Sequence, residues 1–224
     1  MEHTCRYGEL TTRFKSTLKL PDEMFDSKHD LCFCLECHNK RKDKDTYTRG
    51  NPSYIYVLPK GWRRFAIRIK EPGGTTANQV FENWHIAFHG TSIGSIESIW
   101  RVGLRMPGDK MCNGKDLIEK LGHFNDKMKP KDFDTKQIFV SPSIRYAGDD
   151  IYAPPIKFND SQTNWTYDGK VAFQLRIRPN SYKTAENTTT RDSIDPHISD
   201  TVLEWSTKDK TAIMLTGLLV KVTQ

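Results

Sequence analysis

Apolar and polar positions alternate most clearly at Trp84-His85-Ile86-Ala87-Phe88. Trp84, Ile86 and Phe88 fall on one side, His85 and Ala87 on the other. That period of two predicts a half-buried strand. The strand ends on His89-Gly90-Thr91, and Ile93, Ile96, Ile99, Trp100 and Gly103 follow at helical spacing, with Gly103 placed to cap the helix. His89, Gly90 and Thr91 therefore sit where a strand hands over to a short helix. Gly90 has no side chain, so a ligand can approach the main chain there.

The alternation recurs elsewhere. Val171, Phe173, Leu175 and Ile177 point inward, with Ala172, Gln174, Arg176 and Arg178 outward. Over 62–69, Arg63, Phe65, Ile67 and Ile69 share a face, and Tyr54, Tyr56 and Leu58 alternate up to Pro59. Ile138-Phe139-Val140 is a short apolar strand that stops at Ser141-Pro142-Ser143, where Ser143 is placed to cap a helix Ile144-Arg145-Tyr146-Ala147. Val202 to Ser206 reads as an edge-like strand, and 212–222 closes the chain with an apolar one. Residues 1–30, with sparse apolar positions at Phe14, Leu18, Leu20, Met24 and Phe25, predict a strand or an extended arm. Loops are expected at 72–76, 122–135 and 180–200, and a helical turn at 116–121. Many short strands, few helices and no internal repeat predict an α+β fold dominated by antiparallel sheet.

Composition narrows this picture only a little. The 224 residues suit one large domain, or one domain with a small appendage, here divided as a Cys/His-rich segment 1–50 and a domain 51–224. The apolar share of 36% beside 28% charged residues predicts long polar loops. A net charge of +6 permits nucleic acid or an anionic cofactor and demands neither. No apolar run nears the roughly 20 residues that span a bilayer, and the first residues lack an apolar signal core. The expectation is an intracellular protein, cytoplasmic or nuclear, with no membrane partner. The phosphate-cradling patterns G-x-x-x-x-G-K-[ST] and G-x-G-x-x-G are absent.

Three of the five cysteines crowd into Cys32-Phe33-Cys34-Leu35-Glu36-Cys37-His38. Thiolates and imidazole at that density are what tetrahedral zinc takes. Cys32, Cys34, Cys37 and His38 are the leading donor set, with Cys5 or His29 able to complete it. The charge run at 40–45 reads as a solvated loop, with a nucleic-acid contact as the lesser alternative.

Three separated features then fall into order: a strand ending in His89-Gly90-Thr91, a later strand leading into Ser143-x-x-Tyr146, and Glu204 opening a strand about a dozen residues before the closing one. The set resembles the catalytic core of PARP-like, diphtheria-toxin-type ADP-ribosyltransferases, known for a His-Tyr-Glu triad. The order of the Cys-rich run, Gly61-Trp62, 84–91, Ser141-Pro142-Ser143 and Glu204-Trp205 looks closer still to the C-terminal domain of neuralized-like proteins of the fourth type. The resemblance covers most of 30–222 and implies a split, mostly antiparallel sheet core.

It implies NAD as the substrate. Cleavage of the nicotinamide–ribose bond passes through an oxocarbenium-like state, so the leaving group must be fixed and positive charge stabilised. By similarity, His89 would bond the adenosine ribose, and the Gly90 backbone and the Ser143 hydroxyl would hold the nicotinamide amide. Tyr146 would stack on the ring, and Glu204 would bind a ribose hydroxyl beside the reacting carbon. The catalytic expectation is thus His89, Tyr146 and Glu204, with Thr91 supporting the loop. Phe139 departs from the family's triad tyrosine. It keeps the stacking surface and loses the hydroxyl, and Tyr152 is a candidate second face. Gly90→Val is expected to abolish NAD binding and leave the fold largely intact.

The implied activity is NAD-dependent mono-ADP-ribosyl transfer to a macromolecular acceptor, a protein side chain ahead of a nucleic acid, with release of nicotinamide. The alternatives are a tRNA 2'-phosphotransferase-like enzyme, for which no Arg-His-Arg-Arg set is evident, and a non-catalytic zinc-containing interaction module with a decayed cleft.

Overall fold

The computed structural model describes residues 5–69, 76–117, 134–189 and 193–224. In chain order the elements are α1 (Arg6–Thr17), β1 (Leu31–Cys32), α2 (Leu35–Arg41), β2 (Thr46–Arg49), β3 (Tyr54–Val57), β4 (Arg63–Ala66), α3 (Ala77–Asn83) and β5 (His85–Thr91). There follow α4 (Ile96–Val102), β6 (Ile138–Val140), α5 (Ile144–Ala147), β7 (Ile156–Asp160), β8 (Trp165–Ile177), β9 (Lys183–Ala185), β10 (Glu204–Thr207) and β11 (Ile213–Thr223). Every strand pair is antiparallel. The fold is α+β, mostly antiparallel sheet with few helices. Among the described residues no helix is long and apolar enough to cross a membrane.

The main sheet runs β1-β4-β11-β8-β5, with β7 also paired to β8. A second sheet runs β6-β10-β9, and β2 and β3 form a hairpin. The two larger sheets meet where Phe88 and Ser141 exchange backbone bonds of 2.7 and 2.9 Å. Phe14, Phe158, Val171, Phe173, Leu218 and Val220 pack together in one core cluster. Phe33, Trp62, Ile86, Phe88, Ala172 and Leu219 form another. By strand alternation these clusters lie on opposite faces of the main sheet. Ala87, Leu175, Val140 and Trp205 join the second sheet to the first.

Several expectations change. β5 ends on His89, Gly90 and Thr91 as read, but it is buried on both faces along His85 to Phe88 instead of half-buried. β8 is likewise buried on both faces, with Ala172 at 0%, Gln174 at 2% and Arg176 at 8% exposure. Helices and the β2–β3 hairpin cover what would otherwise be a solvent face. Glu204 begins a central strand, because β10 lies between β6 and β9. Residues 6–17 are helical, not extended: Cys5 caps the helix by accepting from Gly8 N–H, and Gly8, Thr11 and Phe14 form its buried stripe. The division at residue 50 falls in the turn between β2 and β3.

Other expectations hold. Gly103, at φ +77°, caps α4, and Ser143 caps α5 by accepting from Arg145 N–H. The expected turn at 116–121 and the loops at 72–76 and 122–135 lie largely outside the described residues.

Candidate functional site

The residues singled out around 89–91, 143–152 and 204 come together at the join of the two sheets. His89 Nδ1 is 2.8 Å from the Phe139 carbonyl. A carbonyl only accepts, so Nδ1 carries the hydrogen, and in the neutral ring Nε2 is left as an acceptor. Burial lowers the His89 pKa against the opposing pull of that carbonyl, which favours the neutral form. Thr91 is buried and donates to the Ser92 carbonyl at 3.4 Å. It shares the His89 face of the strand, so its surroundings are core.

Gly90 pairs with Ala172 across β8. Its neighbour Phe88 spends its N–H and C=O on Ser141. In an antiparallel ladder these directions alternate, so the N–H and C=O of Gly90 also point away from β8, toward the join. Space at its Cα is closed by the protein itself. An added Cβ would lie 1.9 Å from the Ala147 carbonyl oxygen and 2.8 Å from Tyr152 Cβ. The expectation that Gly90→Val leaves the fold intact is therefore corrected. The obstacle is backbone and cannot rotate away.

Two segments converge on Glu204. Tyr152 donates to the Tyr146 hydroxyl at 2.7 Å, and Tyr146 donates to Glu204 Oε2 at 3.1 Å. The Tyr146 oxygen also accepts from Thr188 N–H at 3.1 Å, and Thr188 Oγ1 reaches Glu204 Oε2 at 3.4 Å. The two tyrosine rings lie 5.0 Å apart. Glu204 is 5% exposed. Burial pushes its carboxyl up to about 7, despite the bonds from Tyr146 and Thr188. At neutral pH it exists in both forms, the range in which a carboxyl exchanges protons. Nothing in the sequence marks Thr188: it lies in the polar stretch 180–200, which has no periodicity.

Ser143 is fully buried and donates to Asp195 Oδ2 at 2.5 Å. With its helix cap this spends the hydroxyl inside the protein. Asp195 too sits in the unpatterned stretch. Phe139 is half-buried, and its register partner is Ser206. His85 bridges Tyr182 and the Pro52 carbonyl at 2.7 and 2.6 Å, a structural role.

A second cluster lies at the other end of the sheet. The thiol sulfurs of Cys5, Cys32, Cys34 and Cys37 all lie within 4.8 Å of one another. Cys5 Sγ is 3.6 Å from both Cys32 Sγ and Cys34 Sγ. Tetrahedral zinc with sulfur at 2.3 Å sets sulfurs about 3.8 Å apart, so the four donors could hold a metal ion and are compatible with zinc. The expected fourth donor, His38, is corrected to Cys5: His38 Nε2 lies 3.3 Å from Asp45 Oδ1, outside the cluster. One turn of α2 carries Cys37 inward and turns its neighbour away. Burial and the adjacent thiols raise Cys32 and Cys37, Cys37 to about 12. Burial acts the same way on Cys5, but Gly8 N–H and the neighbouring thiols bring it below its ordinary value. A divalent cation would reverse the balance by its own charge.

No family model matches the chain.

Proposed function

We propose that the chain is an NAD-dependent ADP-ribosyltransferase, resembling the PARP-like class, that transfers one ADP-ribose to a macromolecular acceptor, a protein side chain ahead of nucleic acid. The observation that carries the reading is the convergence of Gly90, Tyr152, Tyr146 and Glu204 from three segments far apart in sequence. The roles follow from chemistry. The Gly90 N–H and C=O supply the coplanar donor and acceptor that a nicotinamide amide needs. His89 Nε2 accepts from a ribose hydroxyl. Tyr152, half-exposed, offers the stacking face. Tyr146, at 4% exposure, orients Glu204. Glu204 as carboxylate binds a ribose hydroxyl and stabilises the cation formed as nicotinamide leaves. Because Glu204 is nearly closed to solvent, the reading demands that Thr188 give up its place to that hydroxyl. Ser143 acts through Asp195 to hold the turn. The four thiols hold zinc as a structural clip.

The test is incubation of the full chain with NAD labelled in the adenylate, with candidate protein and RNA acceptors, following both transfer and release of nicotinamide. Transfer that falls at least a hundredfold in Glu204→Gln is the expected result. Neither transfer nor NAD hydrolysis in the parent chain would sink the reading. NAD binding without turnover would favour a decayed cleft in an interaction module.

A further inference from the structure

Four residues up β5 from Gly90, roughly 13 Å along the strand, the main sheet and the β2–β3 hairpin border a half-open cavity of about 330 Å³. Its polar wall is basic. Arg49, Arg64 and Arg176 line it together with Gln174, and Tyr47 and Tyr56 supply flat apolar surface. Each guanidinium is held by neutral acceptors. Arg49 donates to the Thr48 carbonyl at 2.8 Å, Arg64 to Gln174 Oε1 at 3.3 Å and the His29 carbonyl at 2.8 Å, and Arg176 to the Trp84 carbonyl at 2.8 Å. Among the described residues none of the three forms a salt bridge. Asp30, whose charge Arg64 feels, caps Ala66 N–H and lies 3.9 Å from Arg63. The one acid on the wall among the described residues, Asp43, is bound by Arg41 at 2.6 Å.

Three like charges around a small space are unfavourable, and the burial of Arg176 and partial burial of Arg64 add to the cost. Burial, then repulsion from Arg49 and Arg64, lowers Arg176 to about 10. Arg64 Nε is buried with no hydrogen-bond partner among the described residues. A native structure seldom leaves such a donor unmade, and guanidinium groups gathered around a cavity match the oxygens of a phosphate. The volume sits at the lower end for ligand pockets and suits a mononucleotide, too small for a dinucleotide such as NAD.

We propose that this cavity is a binding site for a phosphate monoester carried on a planar ring, of the size of a nucleoside monophosphate, separate from the site at Glu204. Arg64, Arg49 and Arg176 take the phosphate, Gln174 offers an amide to the polar edge, and the tyrosine rings take the planar part.

Calorimetric titration of the full chain with AMP, adenosine and inorganic phosphate tests it. AMP is expected to bind at least tenfold more tightly than either fragment, and more weakly as salt rises. Arg64→Met should weaken AMP at least tenfold. Arg49→Ala, an exposed change that the fold tolerates, should weaken it at least threefold. Glu204→Gln should bind AMP as the parent does. The proposal is overturned if AMP does not bind at millimolar concentration, if adenosine or inorganic phosphate binds as well as AMP, or if folded Arg64→Met and Arg49→Ala keep the parent affinity. Loss of AMP binding in Glu204→Gln would likewise overturn it, by assigning the nucleotide to the other site.

Discussion

At the scale of single residues, Glu204 couples the fold to pH. Its ordinary value is 4.5, and burial raises it to about 7 in the folded chain. The folded state therefore holds the proton more tightly than the unfolded one. The stability this group contributes is full below about 4.5 and is lost as pH rises through about 7. The upper bound is about 3 kcal/mol. Glu204→Gln cannot ionise, so between pH 5 and pH 8 it should lose less stability than the parent. Urea unfolding at the two pH values reads the difference, and parallel losses would show that Glu204 is not held in this environment. The same carboxyl sets the sign for the proposed chemistry. Only the carboxylate stabilises a cation, so nicotinamide release should rise with pH and level off above about 7. Gly90 teaches the opposite lesson. Its missing side chain reads in sequence as room for a ligand, yet the room is taken by the Ala147 carbonyl.

At the scale of elements, the strands were legible where burial follows polarity and misread where it does not. β6, the α5 cap at Ser143 and the closing strand lie where the pattern puts them. The in–out alternation of β8 predicts a half-buried strand because Gln174 and Arg176 are polar. They are polar because they wall a cavity, not because they face water. α3 carries a legible capping box, Thr76 with Gln79, that its weakly apolar sequence obscures. α1 was hidden for another reason: its buried stripe uses Gly8 and Thr11, small residues that admit close packing and carry no apolar signal. That packing makes a test. Phe14 is fully buried and meets Phe158 edge-on at 5.4 Å, and a Cβ on Gly169 of β8 would lie 2.2 Å from the Phe14 ring. Gly169→Ala should therefore destabilise by about 1–3 kcal/mol, seen as a lower urea midpoint. An unchanged midpoint would mean that α1 does not pack on the sheet as described.

At the scale of the whole molecule, the two ends of the described chain meet at one place. Tyr7, in the first turn of α1, donates to the Gly61 carbonyl at 2.6 Å, and its oxygen accepts from Val222 N–H at 3.1 Å. Beside it Cys5 brings its sulfur to Cys32 and Cys34, at the start of the β1–α2 segment. The thiols thus join α1 to the far edge of the main sheet. A metal there closes a loop of about thirty residues and constrains the unfolded chain, as any cross-link does. The local run of three cysteines was readable, but its partner 27 residues upstream could be fixed only once α1 was known to be a helix with Cys5 at its cap. Serine can still cap a helix, so Cys5→Ser removes the thiolate and spares the cap. If zinc occupies this site, mass spectrometry of the purified chain should find one zinc per molecule. Cys5→Ser should lose it as fully as Cys34→Ser, while His38→Ala retains it. A strong chelator should lower the melting temperature of the parent and of His38→Ala, and leave Cys5→Ser unmoved. Retention of zinc in Cys5→Ser with loss in His38→Ala would return the fourth ligand to the histidine and detach α1 from the metal.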